Sequence, residues 1–178
     1  GLDKRGVQGL TLFQNQSADF FEKVRRSPVN PDFTYTNANL ILTKAGTPLF
    51  SDHRDFRSKT QKKLRVVGLV LNDLFRYTYR KDSLSLMVDS VMPMVSVAMS
   101  ELVRAKRDSV DSVIFMCHES AEITAQMTRE LLRWQKMSYD LKDIKIPAVF
   151  AAHDHLVSQE TIENTWVLDG GTDFEFIQ

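Results

Sequence analysis

The chain has one cysteine among its 178 residues, Cys117. That excludes an internal disulfide and any metal site built from several thiolates, and it favours a reducing compartment, so the cytoplasm is the expected location. Seven glycines and five prolines are too few for a linker, a fibrous or a low-complexity chain. The glycines are also too scattered to cradle phosphate: no G-x-G-x-x-G, Walker loop or EF-hand is written in the sequence. The formal net charge is zero, so no global field advertises nucleic acid or cations. A long hydrophobic run is missing as well. The most apolar stretch, Ser83 to Val103, contains Asp89, Glu101 and Pro93 and is studded with serines, which suits a buried segment better than a membrane span.

What remains is the composition of a folded domain, 43% hydrophobic and 26% charged, long enough to bury a core. Residues 1–178 are read as a single domain. Gly1 and Gln178 are the ends expected of a fragment, a tagged product or a processed piece of a larger protein. Gln before a cut and Gly after it also resemble the ends that viral chymotrypsin-like cysteine proteases leave on polyprotein products. Charge is polarised along the chain. Between Ser51 and Lys81 nine basic residues face three acidic ones, whereas from Ser138 to Gln178 two basic residues face eight acidic ones.

The hydrophobic pattern points to an α+β fold in which helices dominate. Ser17 can cap a short helix in "SADFFEKVRR". A β-hairpin is expected over Phe33 to Thr43 and Thr47 to Phe50, turning at Ala45-Gly46. A helical, bundle-like middle follows. Leu64, Val67, Leu71, Leu74 and Phe75 recur at helical spacing, a second helix runs to Arg107 with a kink at Pro93, and a third follows a near-heptad stripe of Val110, Val113, Cys117, Met127, Leu131 and Trp134. Short strands close the chain in "IKIPAVFAA", "TWVL" and "DFEFIQ", with a helical turn in "SQETIEN". Short apolar runs do not fix their own period, so the alternative is an α/β fold with strands near 64–71, 112–117 and 146–151. In that parse a helix restarts at Ser120, with Ser120 as its cap and Glu122 in the first turn.

Three groups of residues are candidates for function. His153-Asp154-His155 offers donors suited to zinc or iron, and His53 and His118 offer more. No spacing in the sequence makes these ligands converge, and the reading adopted is a polar turn at a strand end, with no bound metal and no cofactor. Lys59, Lys62, Lys63, Arg76 and Arg80, beside Phe75, Tyr77 and Tyr79, are candidate polyanion contacts. Met87, Met92, Met94, Met99, Met127, Leu131 and Trp134 are candidates for an apolar helical surface, since methionine adapts to irregular partners. Cys117-His118-Glu119-Ser120 has the residue types of a nucleophile and its base, but adjacency does not create that geometry.

"VIFMCHESAE" resembles the strand and turn that present the serine in α/β-hydrolases, and "IPAVFAAHDHLV" resembles the strand that ends in their acid. The likeness covers about a third of the chain. It lacks the small residues of the nucleophile elbow and a histidine after the acid. The leading expectation is therefore a non-catalytic interaction or assembly module, self-associating or docking a protein partner through helical apolar surface and its polarised charge. The alternatives are a small hydrolase or metal-dependent enzyme built on residues 112–155, and a nucleic-acid-binding cofactor using the basic segment 51–81.

Overall fold

The computed structural model describes residues 36–42, 51–72 and 88–171. Within them the elements are β1 (Leu40–Leu42), β2 (His53–Arg57), β3 (Lys63–Val70), β4 (Val88–Val91), α1 (Met94–Arg107), β5 (Ser112–His118), α2 (Ala121–Met137), a 3-10 turn at Tyr139–Leu141, β6 (Ala148–Ala151), β7 (Val157–Ile162) and β8 (Thr165–Gly170). Six strands form one mixed sheet in the order β2-β3-β5-β6-β8-β7. β3, β5, β6 and β8 run parallel, and β2 and β7 close the two edges antiparallel. β1 pairs antiparallel with β4 in a separate ribbon.

The predominantly helical expectation is overturned by this sheet, which leaves two α-helices among the described residues. The segment Leu64 to Leu71, expected to be helical, is mostly β3. In place of one kinked helix the chain forms β4 followed by α1, and Pro93 immediately precedes α1 instead of bending it. Proline lacks an N–H and presets φ, so it suits a helix start and not an interior. The near-heptad stripe is likewise divided between β5 and α2. Ser120 caps α2 by accepting from the Ile123 N–H at 3.3 Å, and Glu122 sits in the first turn. "SQETIEN" is mainly strand β7, not a helical turn. The strands of the alternative parse coincide with β3, β5 and β6. The expected hairpin partner at 47–50 and the strand "DFEFIQ" lie outside the described residues; β1 pairs with β4.

Register explains the packing. Val67, Phe115 and Val149 lie side by side across β3, β5 and β6, and Val149 meets Val167 in β8. This row, with Leu69, Val113 and Cys117, faces Ala98, Leu102, Ala105, Ala125, Met127 and Leu131 from the two helices. Parallel strands joined through helices need such crossovers, which place helices on a sheet face. The opposite face carries Val66, Ile114, Met116, Phe150 and Leu168 in the alternate register, so β5 is apolar on both sides.

At the β2 edge, charge replaces apolar packing. Arg65, buried in β3, donates from Nε and Nη2 to Asp55 at 2.8 and 3.1 Å and from Nη2 to Asp108 at 2.7 Å. Next to β3, Thr36 leaves no room at Gly68: a Cβ there would stand 2.1 Å from the Thr36 carbonyl oxygen. Among the described residues no helix is long and apolar enough to cross a membrane.

Candidate functional site

Ligands of open parallel sheets bind beyond the carboxyl ends of the strands, where the backbone opens into loops that can carry chemistry. Here β5 ends in His118, β6 runs out two residues before His153, and β8 ends beside Asp169. Separate parts of the sequence thus deliver their polar residues to one end of the sheet. The rings of His118 and His153 meet edge to face, with centroids 5.2 Å apart and planes at 79°.

The electrostatics follow from burial. Desolvation pushes the His118 imidazole down to about 4, and the nearby His153 and His155 push in the same direction. Its ring is therefore uncharged at neutral pH. Glu119 is buried and its Oε1 accepts from the Ser120 N–H at 2.8 Å. Asp154 reaches back to the start of α2, where Oδ2 accepts from the Ala121 N–H at 3.4 Å, and its Oδ1 accepts from the Leu156 N–H at 3.5 Å. His155 takes a positive φ of 60°, a conformation tolerated in tight turns. A cleft of about 300 Å³ begins at Ala121 and Glu122 and extends along Ser158 and Gln159.

The structure brings the sequence triplet together with one of its proposed companions, His118. His53 is placed elsewhere, its Nδ1 3.0 Å from Oε2 of buried Glu101. Among the described residues no group of three or more His, Cys, Asp or Glu side chains is arranged to hold a metal ion. Ser120, which the hydrolase-like outline would make a nucleophile, uses its hydroxyl to cap α2. Cys117 is buried on the helix-covered face, and burial pushes its thiol far up.

The other candidates are dispersed. Met94, Met127 and Leu131 are buried, Met99 and Trp134 pack against the same core, and Met92 is exposed in the turn before α1. Most of the described residues expected to form a helical apolar surface are therefore core, which leaves the interaction and oligomer reading unsupported. Met87 lies outside the described residues. Of the basic set, Lys62 pairs with Asp111 at 2.8 Å, Lys63 pairs with Asp55 at 2.9 Å, and Lys59 is exposed in the β2–β3 turn. Arg76 and Arg80 lie outside the described residues.

Sequence reasoning missed Asp169 and Asn39. Asp169 is a carboxyl in an apolar strand, "TWVLDG", that could have been flagged for that reason. Asn39 stands in a loop-like "TNANL" with no motif to mark it.

No known protein family matches the sequence, and no curated protein does. Solved structures do share the fold. The NAD nucleotidase (NadN) of Haemophilus influenzae superimposes with a TM-score of 0.55 at 13% identity, over 79% of this chain and 29% of that one. The 5'-nucleotidase precursor from Thermus thermophilus gives 0.53 at 13% identity, over 85% of this chain and 29% of that one. At such identity the likeness is one of fold, and the chain spans under a third of either protein.

Proposed function

We propose that this chain carries part of a hydrolase acting on phosphate esters of nucleotides, with its site at the carboxyl ends of β5 and β6. The observation that supports this most is the meeting of His118 and His153 at that end of the sheet, in a fold shared with two nucleotidases. A convergent polar cluster with a displaced pKa is the ordinary mark of a working site.

The roles follow from the groups present. Uncharged His118 keeps a ring nitrogen available as an acceptor at neutral pH. His153 and His155 are on the loop that follows β6, and in this reading they would donate to phosphate oxygens. The described residues supply only part of what such a reaction needs, in keeping with a chain that matches 29% of each nucleotidase.

Binding is therefore the appropriate test for this chain. Titration of the full chain with 5′-AMP, followed through the imidazole ring signals of its histidines, should show saturable shifts at His118 and His153. Adenosine, which lacks the phosphate, should move them far less, and His118→Asn or His153→Asn should weaken 5′-AMP binding at least tenfold. If neither 5′-AMP nor NAD moves these signals at millimolar concentration, the reading fails.

A further inference from the structure

One face of the six-stranded sheet has no helix on it among the described residues, since α1 and α2 both pack on the side of Val67, Phe115 and Val149. On the other side, register sets Gly68, Met116, Phe150 and Leu168 in one row across β3, β5, β6 and β8, and Ile114 and Trp166 share that face. Trp166 is 45% exposed, Met116 39% and Phe150 38%. Parallel strands ordinarily have both faces covered, and contiguous apolar area left in water marks a docking surface. The head of the row shows what is at hand to cover it. A Cβ at Gly68 would meet the Thr36 carbonyl oxygen at 2.1 Å and the Thr36 hydroxyl at 2.8 Å. Thr36 therefore stands on this face, over the β3 position of the row. It is the first described residue, so the 35 residues before it set out from the uncovered side.

We propose that the segment 17–26, "SADFFEKVRR", docks on this face and covers Met116, Phe150 and Trp166 with Phe20, Phe21 and Val24. Its sequence has the pattern the task needs. At helical spacing Phe20, Phe21 and Val24 fall on one side and Asp19, Glu22 and Arg26 on the other. Ten helical residues span about 15 Å, enough to cross β5, β6 and β8, whose two spacings add to about 10 Å. The nine residues between Arg26 and Thr36 can extend to about 30 Å, so the connection from Gly68 is long enough. Removing the facing apolar side chains from water supplies the driving force. His118 follows Met116 on the same face, so the docked segment would border the histidine cluster. The inference does not depend on the proposed function.

The test uses the full chain and needs no substrate. Of the two tryptophans, Trp134→Phe leaves Trp166 alone, and acrylamide quenching of its fluorescence then reads access to the face. In that chain Trp166 should be protected, and its ring should give cross-peaks to a phenylalanine ring at position 20 or 21. Adding Phe20→Asp and Phe21→Asp together should raise the quenching constant at least twofold and remove the cross-peaks. Cys117, on the opposite side of the sheet, should stay closed to iodoacetamide and so verify that the core is intact. If the double change unfolds the chain, Val24→Asp takes its place, and if that unfolds as well the cross-peaks of the starting chain decide. The proposal is overturned if Trp166 is as accessible in the starting chain as a free indole, if its ring shows no cross-peak to either phenylalanine, or if the substitutions leave quenching unchanged while Cys117 stays protected. Protection that falls on dilution and survives the substitutions would likewise overturn it and assign the face to a second copy of this chain.

Discussion

Asn39 holds Val70 by both of its backbone groups: Oδ1 accepts from the Val70 N–H at 2.9 Å, and Nδ2 donates to the Val70 carbonyl at 2.8 Å. The same Nδ2 donates to the Met92 carbonyl at 3.1 Å. Pairing with β2 ends at His53 and Val67, so a side chain supplies the rungs that a strand would otherwise provide. Asn39 is fully buried. Replacing it by Ala leaves these groups unmet, at about 1–3 kcal/mol for each one stranded in the interior. Asp would keep the acceptor, lose both donations and bury a charge, so Asn39→Asp should be at least as harmful at neutral pH. Urea unfolding of the three proteins measures this, and an unchanged midpoint for Asn39→Asp would show that the amide is not holding β3.

Buried charges between β3 and α1 should matter more than exposed ones. Arg65 and Glu101 each have side chains 1% exposed, with Nη1 3.8 Å from Oε2. Arg65 also serves Asp55 and Asp108, and Glu101 accepts from Arg104 Nη1 at 2.9 Å. Removal of one member strands charges that are already out of water, so Arg65→Ala and Glu101→Ala should each cost about 3–5 kcal/mol. Lys62→Ala breaks only an exposed pair with Asp111, which solvent screens, and should move the midpoint far less than either. Denaturation midpoints that placed Lys62→Ala first would contradict this ranking.

The sequence misleads where a strand is apolar on both faces although only one is covered by the helices, Met116 and Phe150 on the other being exposed. In β5 the inward residues Val113, Phe115 and Cys117 alternate with Ile114 and Met116, so the period of two disappears into a continuous apolar run. Val113 and Cys117 also stand four apart, a helical spacing that continues by chance into Met127 and Leu131 of α2. Turn chemistry is more legible. Ser120 is readable as a cap because Ser followed by Glu two positions later suits a helix start, and Pro93 marks a boundary, although its apolar surroundings suggest a kink. The end-of-sheet cluster is half visible. His153-Asp154-His155 attracts notice as a triplet, whereas the link to His118 depends on the crossover through α2 that brings β5 and β6 side by side. Asp169 depends on a third parallel strand.

His118 makes a pH prediction whose direction is fixed by its burial. In the unfolded chain an imidazole takes up a proton as the pH falls below 6.5, while in the folded chain His118 resists until about 4. Between these values the unfolded state binds more protons, so the contribution of His118 is fully present above 6.5 and is lost as the pH falls towards 4. His118→Asn cannot titrate there. The difference in urea midpoint between the unaltered protein and this variant should shrink or reverse as the pH is lowered through the window, and a difference independent of pH would show that the ring is not buried as described.

Cys117 gives the most direct readout of the fold, because it is the only cysteine in the chain. It lies in β5 beside Leu69 of β3 and Ala151 of β6, under the helix-covered face, and is 3% exposed. Reaction with iodoacetamide requires thiolate, and burial pushes the thiol well above its ordinary range, with the Glu119 carboxylate acting in the same direction. Both access and ionisation are therefore denied to the native chain. Iodoacetamide at pH 8 should leave the folded protein unlabelled over a time in which a free thiol reacts completely, and labelling should rise with urea along the same curve as loss of structure. Mass spectrometry counts the single adduct. Rapid labelling without denaturant would mean that β5 is open to solvent, which would undo the register on which the placement of His118 depends.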